Sequence, residues 1–513
     1  MTIARSVYVI SDLHIGGTYP DPTAQRVERR RGFRMMTHVA ELAAFIRQIA
    51  RLPADRAVEL VINGDFIDFL AEERGSGLDV DPTAAPQWTP FRAAPGEALA
   101  AFREVVRRDR ALFAALRELL AAGKALTIVL GNHDIELCLP DVRAALDAEL
   151  GPGKVRFLDD GQALDLGEVL VDHGNLFDPA NVVDHDKLRL VRSVYSRGWY
   201  DELDELFAPP AGSRVVAEVM NPIKVVYGFI DLLKPESEPM FALLLALEPS
   251  YRDVLDELAS ALAGAARSLV PRRGVPWALR NVSDEGNRAA AGILRDVGAG
   301  AAAGTAPTSA LDALVAEVLV DDAPAAASLQ AAGIESGGVS TEVSGGTWRA
   351  RWSLFRLLRG DDDGDLAARI PEVQATLRVL EGDQSFVRGS EKARYLDAAT
   401  WLARPGAGQK GYKAVVFGHT HHAKALTIPG TQSSYFNTGT WANLMKFPDV
   451  LTSKTATVDE VRDALVAFAN KLASNDLDAY LHFEPTYVRI DLAADGTLVK
   501  VELRDYDAKA DKL

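Results

Sequence analysis

Five short stretches of this 513-residue chain set metal-binding residue types beside glycine or beside one another. They are Asp12-Leu13-His14, Gly64-Asp65-Phe66-Ile67-Asp68, Gly131-Asn132-His133-Asp134, His173-Gly174 and Gly418-His419-Thr420-His421. Imidazole and carboxylate suit manganese, iron or zinc, and no thiolate is offered. The candidate ligands are Asp12, His14, Asp65, Asn132, His173, His419 and His421. Seven groups exceed what one tetrahedral zinc takes, and they match two ions if one carboxylate bridges. In extended backbone, residues two apart point to the same side. The 12/14 and 419/421 pairs are therefore expected to present two ligand atoms each to one ion. Glycines 64, 131, 174 and 418 would let the backbone turn tightly and approach the ions.

Each motif alone has a plainer reading as a turn, because Gly, Asn and Asp are turn residues. The combination is harder to explain that way. Of nine histidines, five (14, 133, 173, 419 and 421) fall in these stretches. The elements before them have a common character. Residues 7–10, 57–62 and 126–130 read as strands, and each ends at a motif. Residues 35–52 and 97–122 carry apolar residues at helical spacing, with Leu112, Leu116, Leu119 and Leu120 on one face of the second. Strand–helix alternation predicts βαβ units and a largely parallel sheet. Residues 162–166 and 168–171, joined through Gly167, read as a hairpin of a second, mixed sheet, with His173 after its second strand. Strand character returns at 413–417 and 434–437. Residues 458–472 read as a helix, and 487–492 with 498–503 as a closing hairpin.

From 186 to 403 the strand signal fades. Helical spacing occupies 215–233, 240–262 and 354–380. The stretch 299–346 is rich in Ala, Gly, Ser and Thr, which suggests loops broken by a short helix at 311–320. The expected organisation is one α/β domain, 1–185 plus 404–513, interrupted by a mostly helical insertion, 186–403. The apolar runs 225–230 and 240–247 are read as that insertion's own core, since some two hundred residues need one; an apolar groove for an acyl or isoprenoid tail is the functional alternative.

The five motifs, in this order, resemble the calcineurin-like metallophosphoesterase superfamily over about residues 5–185 and 410–505. The resemblance implies a four-layer αββα sandwich of two mixed sheets with a dinuclear site between their loops. By motif position, Asp12, His14 and His421 would hold one ion, Asn132, His173 and His419 the other, and Asp65 would bridge them. His133 would be catalytic without being a ligand, oriented by Asp134. The implied cofactor is a pair of divalent transition-metal ions, manganese first, with iron or zinc as alternatives. Two such ions can hold the attacking and leaving oxygens of an in-line displacement, with a bridging hydroxide as nucleophile and His133 as proton donor to the leaving oxygen.

Phosphoserine/threonine phosphatases would show Asp-Arg-Gly where this chain has Asp68-Phe69-Leu70, and Glu in place of Asp134. A phosphodiester, pyrophosphate or small phosphomonoester is therefore expected rather than a phosphoprotein. The stretches 11–16 and 418–421 look like the bacterial branch containing UDP-diacylglucosamine pyrophosphatases, whose lipid enzymes usually carry Arg where this chain has His133. A lipid-linked substrate and peripheral membrane contact follow as expectations. The net charge of −16 and pI of about 5.1 speak against collecting long nucleic acids. One cysteine, Cys138, excludes an intrachain disulfide and fits a reducing compartment, the cytoplasm. No apolar run reaches the roughly 18 residues of a membrane span, and the N-terminus does not read as a secretory signal.

Smaller features are assigned plainer roles. Asp361, Asp363, Asp365 and Glu372 have EF-hand spacing, but Leu366 stands where glycine is needed, so an acidic loop is expected. Cys138 is read as a buried thiol and Trp441 as packing. Asn175, Asp178 and His422 are candidates for substrate contact or ligand orientation. The rival to hydrolysis is a non-catalytic metal-binding interaction platform, which would be expected to have lost ligands.

Overall fold

The computed structural model describes residues 2–18, 33–78, 86–178, 180–200, 203–226, 228–234, 386–404, 410–453, 455–473 and 476–507. The stretches 240–262, 299–346 and 354–380, with Asp361, Asp363, Asp365 and Glu372, lie outside them. The chain divides into two compact units. One comprises Met1–Leu232, Ser385–Asn443 and Phe483–Leu513, the other Leu233–Gln384 and Leu444–His482.

The first unit is α/β, with two mixed sheets. In its six-stranded sheet β1 (Arg5–Ile10), β2 (Ala57–Asn63), β3 (Ala125–Val129) and β4 (Lys154–Leu158) run parallel. On the other side of β1, β12 (Thr486–Leu492) pairs antiparallel with it, and β13 (Leu498–Asp505) with β12. Helices α1 (Val39–Arg51), α2 (Glu97–Arg108), α3 (Arg110–Ala121) and α4 (Pro140–Leu150) make the crossovers that parallel strands require. The second sheet, of five strands, has β6 (Val169–Val171), β7 (Ala414–Phe417) and β9 (Ser434–Thr438) parallel. Antiparallel β5 (Leu164–Asp165) and β8 (Ala423–Thr427) form its edges.

Alternation along the strands makes two cores. Tyr8 and Ile10 of β1, Leu60 and Ile62 of β2, and Leu126 and Ile128 of β3 pack with the apolar faces of the helices. Val7, Val9, Val61 and Val129, on the opposite face, pack with Val169, Val171, Val416 and Phe436 of the second sheet. A slip of one residue would exchange these faces. Because fully burying such a side chain contributes about 1.5–3 kcal/mol, the register is strongly held, and with it the point where each strand ends.

The expected hairpins at 162–171 and 487–503 are present. The helix expected over 97–122 is two, α2 and α3, broken at Asp109 (φ −108°, ψ 35°). Apolar spacing runs through the break unchanged; the cause is distant in sequence, since Asp109 accepts a 2.6 Å bond from buried Arg34. The helix expected from 35 begins at Val39. Met35 and Met36 are buried without being helical. Strand β4, at a sheet edge, exposes Lys154 and Arg156 in alternation with half-buried Val155 and Phe157, whereas edge strand β8 is mostly half-exposed and buries Lys424. Past residue 185 the first unit continues. Helix α5 (His185–Tyr195) buries Leu188, Val191 and Tyr195 in the helical core, and α6 (Asn221–Val226) and α7 (Ala393–Ala403) also belong to this unit. No strand occurs among the described residues of 186–403.

In the second unit β10 (Leu444–Met445) pairs antiparallel with β11 (Leu481–His482). Phe468 of α8 (Val458–Ala473) packs there against Phe447 and Tyr480. No helix among the described residues is long and apolar enough to cross a membrane.

Candidate metal centre

The five motifs all follow parallel strands: Asp12 and His14 after β1, Asp65 and Asp68 after β2, Asn132 to Asp134 after β3, His173 after β6, His419 and His421 after β7. The crevice beyond the carboxyl ends of parallel strands is where such sheets bind ligands. Backbone bonds lock the loops to one another. The His14 amide donates to Asp65 O at 2.9 Å, the Phe69 amide to His133 O at 3.2 Å and the Gly418 amide to His173 O at 3.0 Å.

Backbone conformation sets these residues apart. Among the described residues, the non-glycine positions with positive φ are Asp12 (52°), His14 (44°), Asp65 (50°), His419 (68°) and His421 (64°). All five are candidate ligands. Left-handed backbone at a side-chain-bearing residue costs about 1–3 kcal/mol and persists only where the surroundings enforce it. The extended-backbone reading of the 12/14 and 419/421 pairs is thereby corrected. Both members of each pair turn left-handed, and the pairs differ in outcome: Asp12 and His14 meet in one group of ligand atoms, whereas His421 joins that group and His419 a second one.

Six candidate ligands form two triads. Asp12, His14 and His421 make one and Asp65, His173 and His419 the other, the ligand atoms within each lying within 4.8 Å of one another. In the first, His421 Nε2 is 3.2 Å from His14 Nε2 and 3.6 Å from Asp12 Oδ1. Asp65 joins the two. Its Oδ1 accepts the His133 amide at 2.9 Å, while its Oδ2 lies 3.2 Å from His173 Nε2 and 3.7 Å from His14 Nε2. The seventh candidate, Asn132, is buried, and its Oδ1 accepts no hydrogen bond. A buried amide oxygen left without a donor is costly, and a cation would satisfy it. Glycine makes room for this packing. A Cβ on Gly131 would collide with the Asp65 carboxylate, and one on Gly418 with Ser11 and the Asp12 carboxylate.

Hydrogen bonds select the tautomers. His173 Nδ1 donates to Asn63 O at 2.8 Å and His14 Nδ1 to Asp68 Oδ2 at 3.0 Å, so both Nε2 lone pairs face the centre. Asp178 Oδ2 takes a 3.0 Å bond from His419 Nε2, which leaves that ring's Nδ1 as its lone pair. Asn175 donates to Asn181 O at 3.0 Å, and His422 packs edge-on against Phe386.

His133 lies beside the first triad, its ring 4.7 Å from that of His14. The carboxylate that orients it is Asp68, whose Oδ1 accepts from His133 Nδ1 at 3.1 Å. Asp134 was expected in this role. Its carboxylate instead accepts the Phe66 amide at 2.8 Å and the Gly131 amide at 2.6 Å, tying the Asp65 loop to the Asn132 loop. The reason is directional: Asp134 turns back toward these amides, whereas Asp68 sits between His14 and His133. The spacing Gly-Asp-x-x-Asp held this signal but not the direction of the second carboxylate.

The electrostatics follow from burying this many charges. Burial drives the Asp68 carboxyl upward, but His133 and His14 outweigh it and hold it far below the usual range. Asp65 is likewise lowered, burial being overcome mainly by His173 and His133. Burial would depress His133, yet the carboxylates of Asp68 and Asp65 raise it to about 9. His173, under the same opposition of burial against Asp65, rises to about 10. Asp134, desolvated and near Asp65, rises to about 7. Cys138 is buried and its thiol raised well above the ordinary value by desolvation, which makes it unreactive. Trp441 is fully buried against Phe45 and Tyr506 and donates to Thr486 O at 3.0 Å, a packing role.

Imidazole and carboxylate gathered in two adjoining triads fit divalent transition metals. In comparison with known families, residues 5–242 match the model described as calcineurin-like phosphoesterase. The match spans the first four motifs and ends before Gly418–His421, which the fold brings to the same place. No curated protein and no solved structure matched the chain.

Proposed function

Since the chain belongs to the calcineurin-like phosphoesterase superfamily, and is thus a metal-dependent phosphoric ester hydrolase, we propose that it works with two divalent ions sharing Asp65. The observation that carries this reading is the position of Asp65 Oδ2 between His14 and His173, one from each triad. Asp12, His14 and His421 would hold one ion, and Asn132, His173 and His419 the other. Bound there, the ions supply Lewis acidity toward the phosphoryl oxygens and an acidified water.

The chain's own residues do the rest. His133 is held by Asp68 with its proton-bearing Nδ1 turned inward, which leaves Nε2 to face substrate. In the metal-free chain the carboxylates of Asp68 and Asp65 raise its pKa to about 9, and the bond to Asp68 favours the protonated ring. It can therefore give a proton to the leaving oxygen as the phosphorus–oxygen bond breaks. Strained loops and buried braces hold the ligands in place before substrate arrives, so little reorganisation is left for the reaction itself.

For substrate we favour a phosphodiester, a pyrophosphate or a small phosphomonoester over a phosphoprotein. Phe69 and Leu70, where a phosphoprotein phosphatase would place Arg-Gly, are buried in this chain. A lipid-linked phosphoester is the variant suggested by the likeness to the bacterial pyrophosphatase branch. Manganese is the first metal to supply, and a cytoplasmic location accords with the single cysteine. The test is hydrolysis of bis(p-nitrophenyl) phosphate, p-nitrophenyl phosphate and pyrophosphate with manganese added. The wild-type chain should turn over at least one of them, and Asp65→Ala none. Undiminished turnover by Asp65→Ala would remove the bridging role.

A further inference from the structure

Asp178 stands outside the seven candidate ligands, yet it is bonded on every side. Its Oδ2 accepts from His419 Nε2 at 3.0 Å and from Asn181 Nδ2 at 2.9 Å. Its Oδ1 accepts from the Ala180 amide at 3.1 Å and from an Arg394 guanidinium nitrogen at 3.3 Å. Asn181 also reaches the neighbouring ligand, its Oδ1 taking a long 3.4 Å contact from Asn132 Nδ2. Asp178 thus holds His419, and Asn181, bonded to Asp178, contacts Asn132, two candidate ligands assigned to the same ion. The Gly212 amide donates to Ala180 O at 2.8 Å, and a Cβ on Gly212 would strike the Asn181 side chain, so the pair is clamped from behind.

Arg394 is the long-range member. It lies in the first turn of α7, where the helix dipole disfavours a cation. Its guanidinium reaches Asp178 across 216 residues of sequence. The two side chains are about one-sixth exposed (16% and 18%), so solvent screens the pair only in part. Its position against the dipole, with a guanidinium nitrogen directed at the Asp178 carboxylate, is not accounted for by α7 itself.

We propose that Asp178, Asn181 and Arg394 are positioning residues for one ion alone, the one assigned to Asn132, His173 and His419. Arg394 fixes Asp178, Asp178 fixes the His419 ring with Nδ1 toward the centre, and Asn181 fixes the Asn132 amide with Oδ1 toward it. Filling of this position then depends on α7, which follows the insertion in sequence, whereas the position of Asp12, His14 and His421 does not. This proposal rests on the two-ion reading above.

The experiment is a stepwise manganese titration of the metal-free full-length chain, followed by calorimetry and by electron paramagnetic resonance. Wild type, Arg394→Ala, Arg394→Lys, Asp178→Asn and Asp65→Ala are compared, each checked for folding by circular dichroism. Removing the group that holds a ligating histidine typically costs 10–100-fold in metal affinity. Arg394→Ala and Asp178→Asn should bind one equivalent as wild type does and the second about 10–100-fold more weakly. At two equivalents the exchange-coupled spectrum of a manganese pair should give way to that of isolated ions. Arg394→Lys, which keeps the charge, should recover most of the second affinity. If the folded variants bind both equivalents as wild type does, or lose thermal stability without any change in the second affinity, the positioning role is overturned while the two-ion reading stands. If wild type shows no coupled pair, or Asp65→Ala binds as wild type does, the two-ion reading falls and this proposal with it.

Discussion

Asp68 serves two imidazoles with different duties. Its Oδ2 holds His14, a candidate ligand, and its Oδ1 holds His133, the candidate acid. Substitutions at the two ends of this arrangement should therefore separate. His133→Asn removes the proton donor alone. It should lower kcat by about 10²–10⁴, the usual worth of general acid catalysis, and leave manganese content at the wild-type value. Asp68→Asn should lower kcat and weaken manganese binding together, because the His14 ring loses its anchor. Steady-state kinetics beside elemental analysis of dialysed protein reads both, and loss of metal from His133→Asn would make that residue a ligand. Gly131 offers a purely steric test. In Gly131→Ala the new methyl meets the Asp65 carboxylate, so metal binding should fall although no ligand has been altered.

At the scale of elements, the site is a set of loops that rigid strands aim at one another. Asp134 is the rivet between two of them, joining the turn after β2 to the turn after β3 through the Phe66 and Gly131 amides. Asp134→Ala leaves two buried amides without acceptors, at a cost of about 1–3 kcal/mol for each group left unsatisfied. Urea denaturation of the metal-free protein should show that loss. Manganese affinity should fall too, because Asp65 and Asn132 lie on the loops set free. A variant with unchanged midpoint and unchanged affinity would refute the bracing role. The break between α2 and α3 belongs to the same scale, since a helix continuing through Asp109 would carry its carboxylate away from Arg34.

For the whole molecule, the concentrated charge of the centre predicts a stability that depends on pH with opposite signs in two states. In metal-free protein, His133 and His173 are raised from 6.5 to about 9 and about 10. The folded state then holds protons that the unfolded chain releases above 6.5. Their contribution is complete below pH 6.5 and is lost as pH rises through 9 and 10. Asp65 and Asp68, both lowered, contribute above about 3.8 and lose that contribution as pH falls through their folded values. With chelator present, Tm should therefore decline from pH 6.5 to 10. With excess manganese an ion takes the place of the His173 proton, so the stabilisation by metal should grow over the same interval. Thermal unfolding in paired buffers measures it, and a Tm with chelator that rises toward pH 10 would contradict the assignment.

Much of the centre could be read before any coordinates. Metal-binding side chains beside glycine, each after an apolar β-rich run, name the seven candidate ligands, because ligand chemistry resides in residue type and strand ends are marked by local pattern. The hairpins and the parallel core were legible for the same reason. What needed the tertiary structure was direction. Asp68 and Asp134 have the same chemistry, and only the packing of the β2 and β3 loops decides which one faces His133. The left-handed turns at Asp12, His14 and His419 are tied by bonds from their amides to distant loops, so local propensity would not select them. Arg394 had no motif at all. Its partner lies 216 residues away, and a contact that the fold creates leaves no mark in the spacing of the chain.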